Sequence, residues 1–349
     1  MVATIKANIL FTRMVRWISI LTLVGPLLEA CHPSSDPQPN PSSGLSTGVA
    51  VTPRHFPDHT PAEVADAFKL SRTVADHAVF IFQWGEFDPA VAKQLAVQCA
   101  SNGLAPVLSL SPTTLAGGRK ELDLPADVRR RAGANLSFAN PDVREAFVGA
   151  AEALARLKPP YLCLATEINF LAQRIEEFVR FASLYKEAYR AVKKISPGTA
   201  VFVSFQWEFA LILDLKEPNK IDDHTKLFDI FRPELDAVGL TTYPSGHHVS
   251  PADMPANFYD LAKRHLREGD VVLFTEVGWP SGGSGSEGEQ AAFIDRLPGL
   301  MRGLRPRVVA WSLLHDVSHP AFDAELATTG LLTSDGRAKP ALDRFRALR

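Results

Sequence analysis

The sequence predicts a single-domain (β/α)8 TIM barrel, an α/β fold. Three observations carry that expectation. From residue 48 onward, short β-rich runs alternate with longer helical stretches eight times. The runs are almost continuously apolar rather than alternating, as strands are when both faces of a parallel sheet are covered. No strand-to-helix turn carries a GxGxxG or GxxxxGK[ST] phosphate loop, which weighs against a doubly wound open sheet, the runner-up.

Taken in order, the predicted strands are 48–52, 78–84, 106–111, 161–167, 200–207, 236–243, 271–276 and 308–315. The stretches between them include PAEVADAFKLSRTV, DPAVAKQLAVQCAS, VREAFVGAAEALARL and RIEEFVRFASLYKEAYRAVKK. The last two place apolar residues three and four apart, the stripe of an amphipathic helix. Pro61, Pro89, Pro251 and Pro340 stand where helices should begin, because proline's fixed φ suits a first helical turn. The longest connection, 111–140, reads as an irregular loop over one face of the barrel.

The chain has 349 residues, and such a barrel typically needs about 250. The remainder is at the N-terminus. Lys6, Arg13 and Arg16 precede an apolar run, Trp17 to Leu28, too short for a bilayer span of about 20 residues. Leu28-Glu29-Ala30-Cys31 resembles a bacterial lipobox, which implies lipid attachment at Cys31. Residues 1–30 are thus expected to be a lipoprotein signal and 31–47 a Pro/Ser-rich tether with nothing apolar to bury. Residues 48–349 would form the barrel, a monomer exported and held at a membrane by its N-terminal lipid. The other two cysteines, Cys99 and Cys163, read as buried free thiols, with no zinc-ligand spacing around them.

Composition excludes several functions. At 46% hydrophobic the chain is no disordered protein, and Lys+Arg 37 against Asp+Glu 39 gives no basic field for nucleic acid. In a barrel of this kind function lies at the C-terminal strand ends. Two glutamates stand there, Glu167 and Glu276, with Gln206, Tyr243, Trp84 and Trp311 at other tips and Trp279 just past the seventh strand. Carboxylates on apolar strand ends are costly to bury unless used or paired. Two acids with aromatic faces are the inventory of glycoside hydrolysis, so a neutral oligo- or polysaccharide is the expected partner and no cofactor or metal is required.

YLCLATEINF resembles the fourth strand of clan A retaining glycoside hydrolases, and VVLFTEVGWPS the seventh. DAVGLTTYPSG is similar to the sixth and VVAWSLLHD to the eighth. Locally the wording resembles arabinogalactan endo-β-1,4-galactanases, with some likeness to β-1,3-glucanases. The resemblance implies that Glu167 is the acid/base and Glu276 the nucleophile, with carboxyls ~5–5.5 Å apart for retention. It implies that Tyr243 hydrogen-bonds Glu276 and that Trp311 floors the sugar site. Glu276, bonded by that phenol, should stay ionised while Glu167 holds the proton. Trp84, Trp279, Asn169 and Gln206 are further expected substrate contacts, and Arg54 is the candidate basic residue. Thr166 departs from the pattern, standing where such enzymes carry the asparagine that contacts the sugar 2-hydroxyl. It points to another configuration at C2, as in a mannoside, or to a decayed site. A non-catalytic glycan-binding lipoprotein, a transglycosylase with the same mechanism, and a metal-dependent hydrolase using the loop histidines are the rival readings.

Overall fold

A computed structural model describes residues 45–115, 118–210, 224–319 and 323–349. The expected signal segment, Cys31 and nearly all of the expected tether lie outside the described residues. Eight parallel strands close into one barrel in sequence order: β1 (Ser46–Ala50), β2 (His77–Gln83), β3 (Ala105–Ser111), β4 (Tyr161–Cys163), β5 (Ala200–Gln206), β6 (Ala237–Thr242), β7 (Val271–Val277) and β8 (Val308–Trp311). β1 and β8 close the ring from Ser46↔Val308 to Val49↔Trp311. The predicted barrel is therefore the fold, and β1 starts two residues before the expected strand at 48.

The helices form where sequence physics puts them. Thr60 and Glu63 make a reciprocal capping box at the start of α1 (Pro61–Val74). Asp88 and Asn140 each accept a backbone N–H at the start of α2 (Pro89–Ser101) and α4 (Pro141–Ala155). The amphipathic stretch forms α5 (Ile175–Ile195), whose buried stripe includes Phe178, Phe181, Tyr185 and Val192. After β7 and β8 come α6 (Glu287–Met301), α7 (Ala324–Ala327) and α8 (Pro340–Arg346). Two expectations are corrected. The 111–140 connection holds a helix, α3 (Ala126–Ala132), with the isolated bridge Thr113↔Leu122 before it. Pro251 opens only a 3-10 turn (Pro251–Asp253), and β6 reaches β7 through that turn and two others, Pro244–Gly246 and Asp260–Arg264. No helix among the described residues is long and apolar enough to cross a membrane.

Two local features position the site. β4 leaves the ladder after Cys163, yet Leu164 still donates to Phe202 O at 2.8 Å and Ser204 donates to Ala165 O at 2.9 Å. The chain thereby carries residues 164–167 along β5 and turns at its tip. β1 meets β2 only from Gly48↔His77 to Ala50↔Val79, whereas β2 is paired to β3 as far as Gln83↔Ser111. The barrel wall is thus incomplete between β1 and the far end of β2.

Candidate active site

Glu167 sits at the turn after β4 with φ 52° and ψ 44°, a left-handed conformation rare outside glycine. Such backbone persists only where the surroundings fix it, at roughly 1–3 kcal/mol. Here its N–H donates to Ser204 Oγ at 3.0 Å, its Oε1 accepts from Thr241 Oγ1 at 2.8 Å, and its Oε2 pairs with Arg119 Nε at 2.7 Å. Both partners of that ion pair are buried. Arg119 also has a left-handed backbone (φ 57°) and donates from Nη1 to Ser111 Oγ at 2.8 Å.

Thr241 faces Glu276 across the β6–β7 ladder, so one threonine links the two acids' strands. Tyr243 donates its hydroxyl to Glu276 Oε2 at 2.9 Å. Gly278 makes room for that ring: a Cβ there would lie 2.5 Å from Tyr243 Cε1 and 2.8 Å from Ser312 Oγ. Burial, and then the negative charge of Glu167, push the Glu276 carboxyl up to about 7, against the lowering pull of Arg119 and the Tyr243 hydroxyl. Glu276 Oε1, Thr166 Oγ1 and both amide atoms of Gln83 are buried and have no protein hydrogen-bond partner. Buried polar atoms are nearly always paired, so these atoms are available to a bound molecule.

The structure brings Glu167, Thr166, Tyr243 and Glu276 to the same face of the barrel, and it corrects several expectations. The proton assignment changes: the arginine pairs with Glu167, while it is Glu276 whose carboxyl is raised. Trp84, Trp279 and Trp311 are not sugar platforms. Each is at most 1% exposed. Trp84 packs edge-on against Phe147 of α4, Trp279 lies on Phe293 of α6, and Trp311 is between Phe293 and Phe345. Adjacent strand residues face opposite ways, so the tryptophans point to the helices and their neighbours Gln83 and Ser312 point inward. Asn169 exchanges two 2.9 Å hydrogen bonds with the backbone of Gln206, which fixes the turn carrying Glu167. The Gln206 side chain is spent on Glu208 Oε2 and the Phe209 N–H. Both amides are thus engaged within the protein. Arg54 makes no contact with either acid, and Arg119 holds that position.

Two functional candidates were not foreseen. Arg119 lies in the 111–140 connection, where only the neighbouring Gly117-Gly118 hinted at a built turn. Glu208 follows β5, buried, and accepts from Thr242 Oγ1, from Gln206 Nε2 at 2.5 Å and from the Tyr243 N–H at 3.2 Å. Burial pushes its carboxyl up to about 7 despite those bonds. Glu208 therefore clamps the backbone of the tyrosine that contacts Glu276. Cys99 and Cys163 are buried free thiols, raised to about 12 and about 11 by burial. Among the described residues no three His, Cys, Asp or Glu side chains converge as a metal-binding group.

No model of a known protein family matches the chain, and no curated protein matches it. Solved structures do. The exo-beta-1,4-mannosidase Op5Man5 from Opitutaceae bacterium strain TAV5 is 16% identical with a TM-score of 0.66, covering 87% of this chain and 59% of its own. A GH5_18 protein from Streptomyces cattleya, solved in complex with Manb1-4GlcNAc, is 20% identical with a TM-score of 0.65, over 87% of this chain and 80% of its own. A family 39 glycoside hydrolase from Bacteroides cellulosilyticus WH2 is 18% identical with a TM-score of 0.59, over 87% and 63%. The chain spans well under two thirds of the mannosidase, and at these identities the likeness is one of fold: a closed (β/α)8 barrel.

Proposed function

We propose that this protein is a retaining glycoside hydrolase of the clan A type that acts on β-linked glycans. The observation that carries the reading is the buried carboxyl pair at the ends of β4 and β7. Glu167 is held by Arg119 and Thr241, Glu276 by Tyr243, and the charge of Glu167 helps raise the Glu276 carboxyl. Retaining cleavage needs one carboxyl that protonates the leaving oxygen and one that attacks C1. In this assignment Glu167 donates the proton and Glu276 forms the glycosyl ester. Water then attacks C1 while Glu167 takes a proton back, so each turnover consumes one water and leaves the pair with its single proton. Two neighbouring buried acids share one proton more readily than both ionise. In the free chain burial and the charge of Glu167 favour that proton on Glu276. The reactive form needs it on Glu167.

Among β-glycans we place β-mannosides first. The barrels of similar shape include an exo-beta-1,4-mannosidase and a protein solved with Manb1-4GlcNAc. Thr166 stands where a longer amide would reach an equatorial 2-hydroxyl. A panel of β-mannan, β-galactan and β-glucan substrates tests the reading. Cleavage should be abolished in Glu276→Ala, and a 2-fluoro glycoside should leave a covalent adduct on Glu276. Glycan binding with equal inertness of wild type and variant would sink it. We further propose export and lipid anchoring through Cys31. Cys31→Ala should release the protein from membranes, and unchanged fractionation would end that idea.

A further inference from the structure

We infer that the catalytic centre opens sideways, between β1 and β2, into an apolar pocket that binds a hydrophobic substituent. In the glycosidase reading above, on which only the identity of the carrier rests, that substituent is borne by the sugar being transferred. The opening follows from the topology. β1 stops pairing at Ala50↔Val79, and β2 runs on to Gln83 with a partner on its β3 edge only. Through this gap a cavity of about 210 Å³ passes from Glu276 and Tyr243 into the layer between the sheet and helices α1 and α2. Its deep walls are Val51, Val64, Phe68, Phe80, Val91 and Leu95.

The walls decide the chemistry. Sugar hydroxyls placed among these side chains would lose their hydrogen bonds to water and find no replacement. An apolar cavity of about 150 Å³ holds a benzene molecule, so the space suits an aryl, branched-alkyl or short acyl group and is generous for a single methyl. Its polar lining consists of Thr52, His59, Tyr243, Glu276, Ser312 and Thr329, with Tyr243, Glu276 and Ser312 together at the catalytic end. Position then decides which part of the substrate carries the group. Glu276 lines the cavity and Glu167 does not. The leaving group departs beside the acid/base, so a pocket on the Glu276 side receives a group attached to the transferred sugar. The burial of all three candidate tryptophans agrees with this, because the centre offers no indole face for a bare ring.

Benzene, titrated into the full chain carrying 13C-labelled valine methyls, tests the pocket without any catalytic readout. Saturable shifts of the Val51, Val64 and Val91 methyls are expected. They should weaken at least tenfold in Val64→Trp and in Val91→Phe, each checked for a wild-type circular dichroism spectrum. No saturable shift in the folded wild type, or equal binding in both filled variants, overturns the inference. The second arm compares a 4-nitrophenyl β-mannoside with its O-butanoyl derivative. The kcat/KM ratio should favour the acylated sugar at least tenfold, and Val64→Trp should erase the preference. Benzene binding without cleavage of either glycoside would leave the pocket standing and remove the β-mannoside as its carrier. Cleavage without benzene binding would do the reverse.

Discussion

At the scale of single residues, the centre is governed by which carboxyl the guanidinium pairs with. Arg119 and Glu167 are both buried, and removing one partner of a buried ion pair leaves an uncompensated charge. Arg119→Ala should therefore lower the unfolding free energy by about 3–5 kcal/mol in urea titrations at neutral pH. Glu276 makes the opposite kind of contribution. Its carboxyl is raised from 4.5 to about 7 in the folded chain, so between those values the native state binds more protons than the unfolded one. Stability from this group is full below about pH 4.5 and is lost as pH rises through about 7. Wild type minus Glu276→Gln should show that slope, on the order of 3 kcal/mol across the window. Glu208→Gln should remove a second slope of the same sign, since burial raises that carboxyl to about 7 as well. In the proposed hydrolysis the single-proton pair is the competent form, so kcat/KM should fall as pH rises past about 7. A rate that kept climbing to pH 9 would contradict the shared proton. Tyr243→Phe deletes one hydrogen bond to a carboxyl and should lower kcat/KM roughly ten- to a hundredfold.

At the scale of elements, the strand tips place the chemistry and their flanking turns aim it. Gly278 ends β7 where a side chain would strike the Tyr243 ring. Gly278→Ala should thus mimic Tyr243→Phe kinetically, with a wild-type circular dichroism spectrum. If the alanine variant retained full activity, the close approach of ring and turn would be irrelevant to function. β5 and β6 act together: Glu208 bonds the Tyr243 N–H, and Asn169 ties the turn after Glu167 to Gln206. The eight apolar runs were legible because a parallel strand buried on both faces must be apolar throughout. The long connection was less so. Its Gly117-Gly118-Arg119 reads like any surface loop, and only the folded turn shows Arg119 directed at Glu167.

At the scale of the whole molecule, a near-neutral chain of net charge −2 exerts little long-range field on a partner. Association with a neutral glycan should accordingly change less than twofold between 50 and 500 mM salt by calorimetry, as expected when contacts rather than counterions carry affinity. The sequence by itself determined the barrel and its strand order, and it put one glutamate just past β4 and another on β7. Strand periodicity and strand-end position are local properties written in consecutive residues. It also placed Tyr243 on β6, the strand beside Glu276. Which way each tip side chain faces was decided only by tertiary structure. A shift of one residue at a strand end exchanges barrel interior for helix layer, and so Trp84 and Trp311 went to the core while Gln83 and Ser312 took the inner face. The same holds for Arg119, 48 residues from Glu167 in the chain, and for the gap beside β1. Both depend on distant segments meeting, and no local pattern encodes a meeting of that kind.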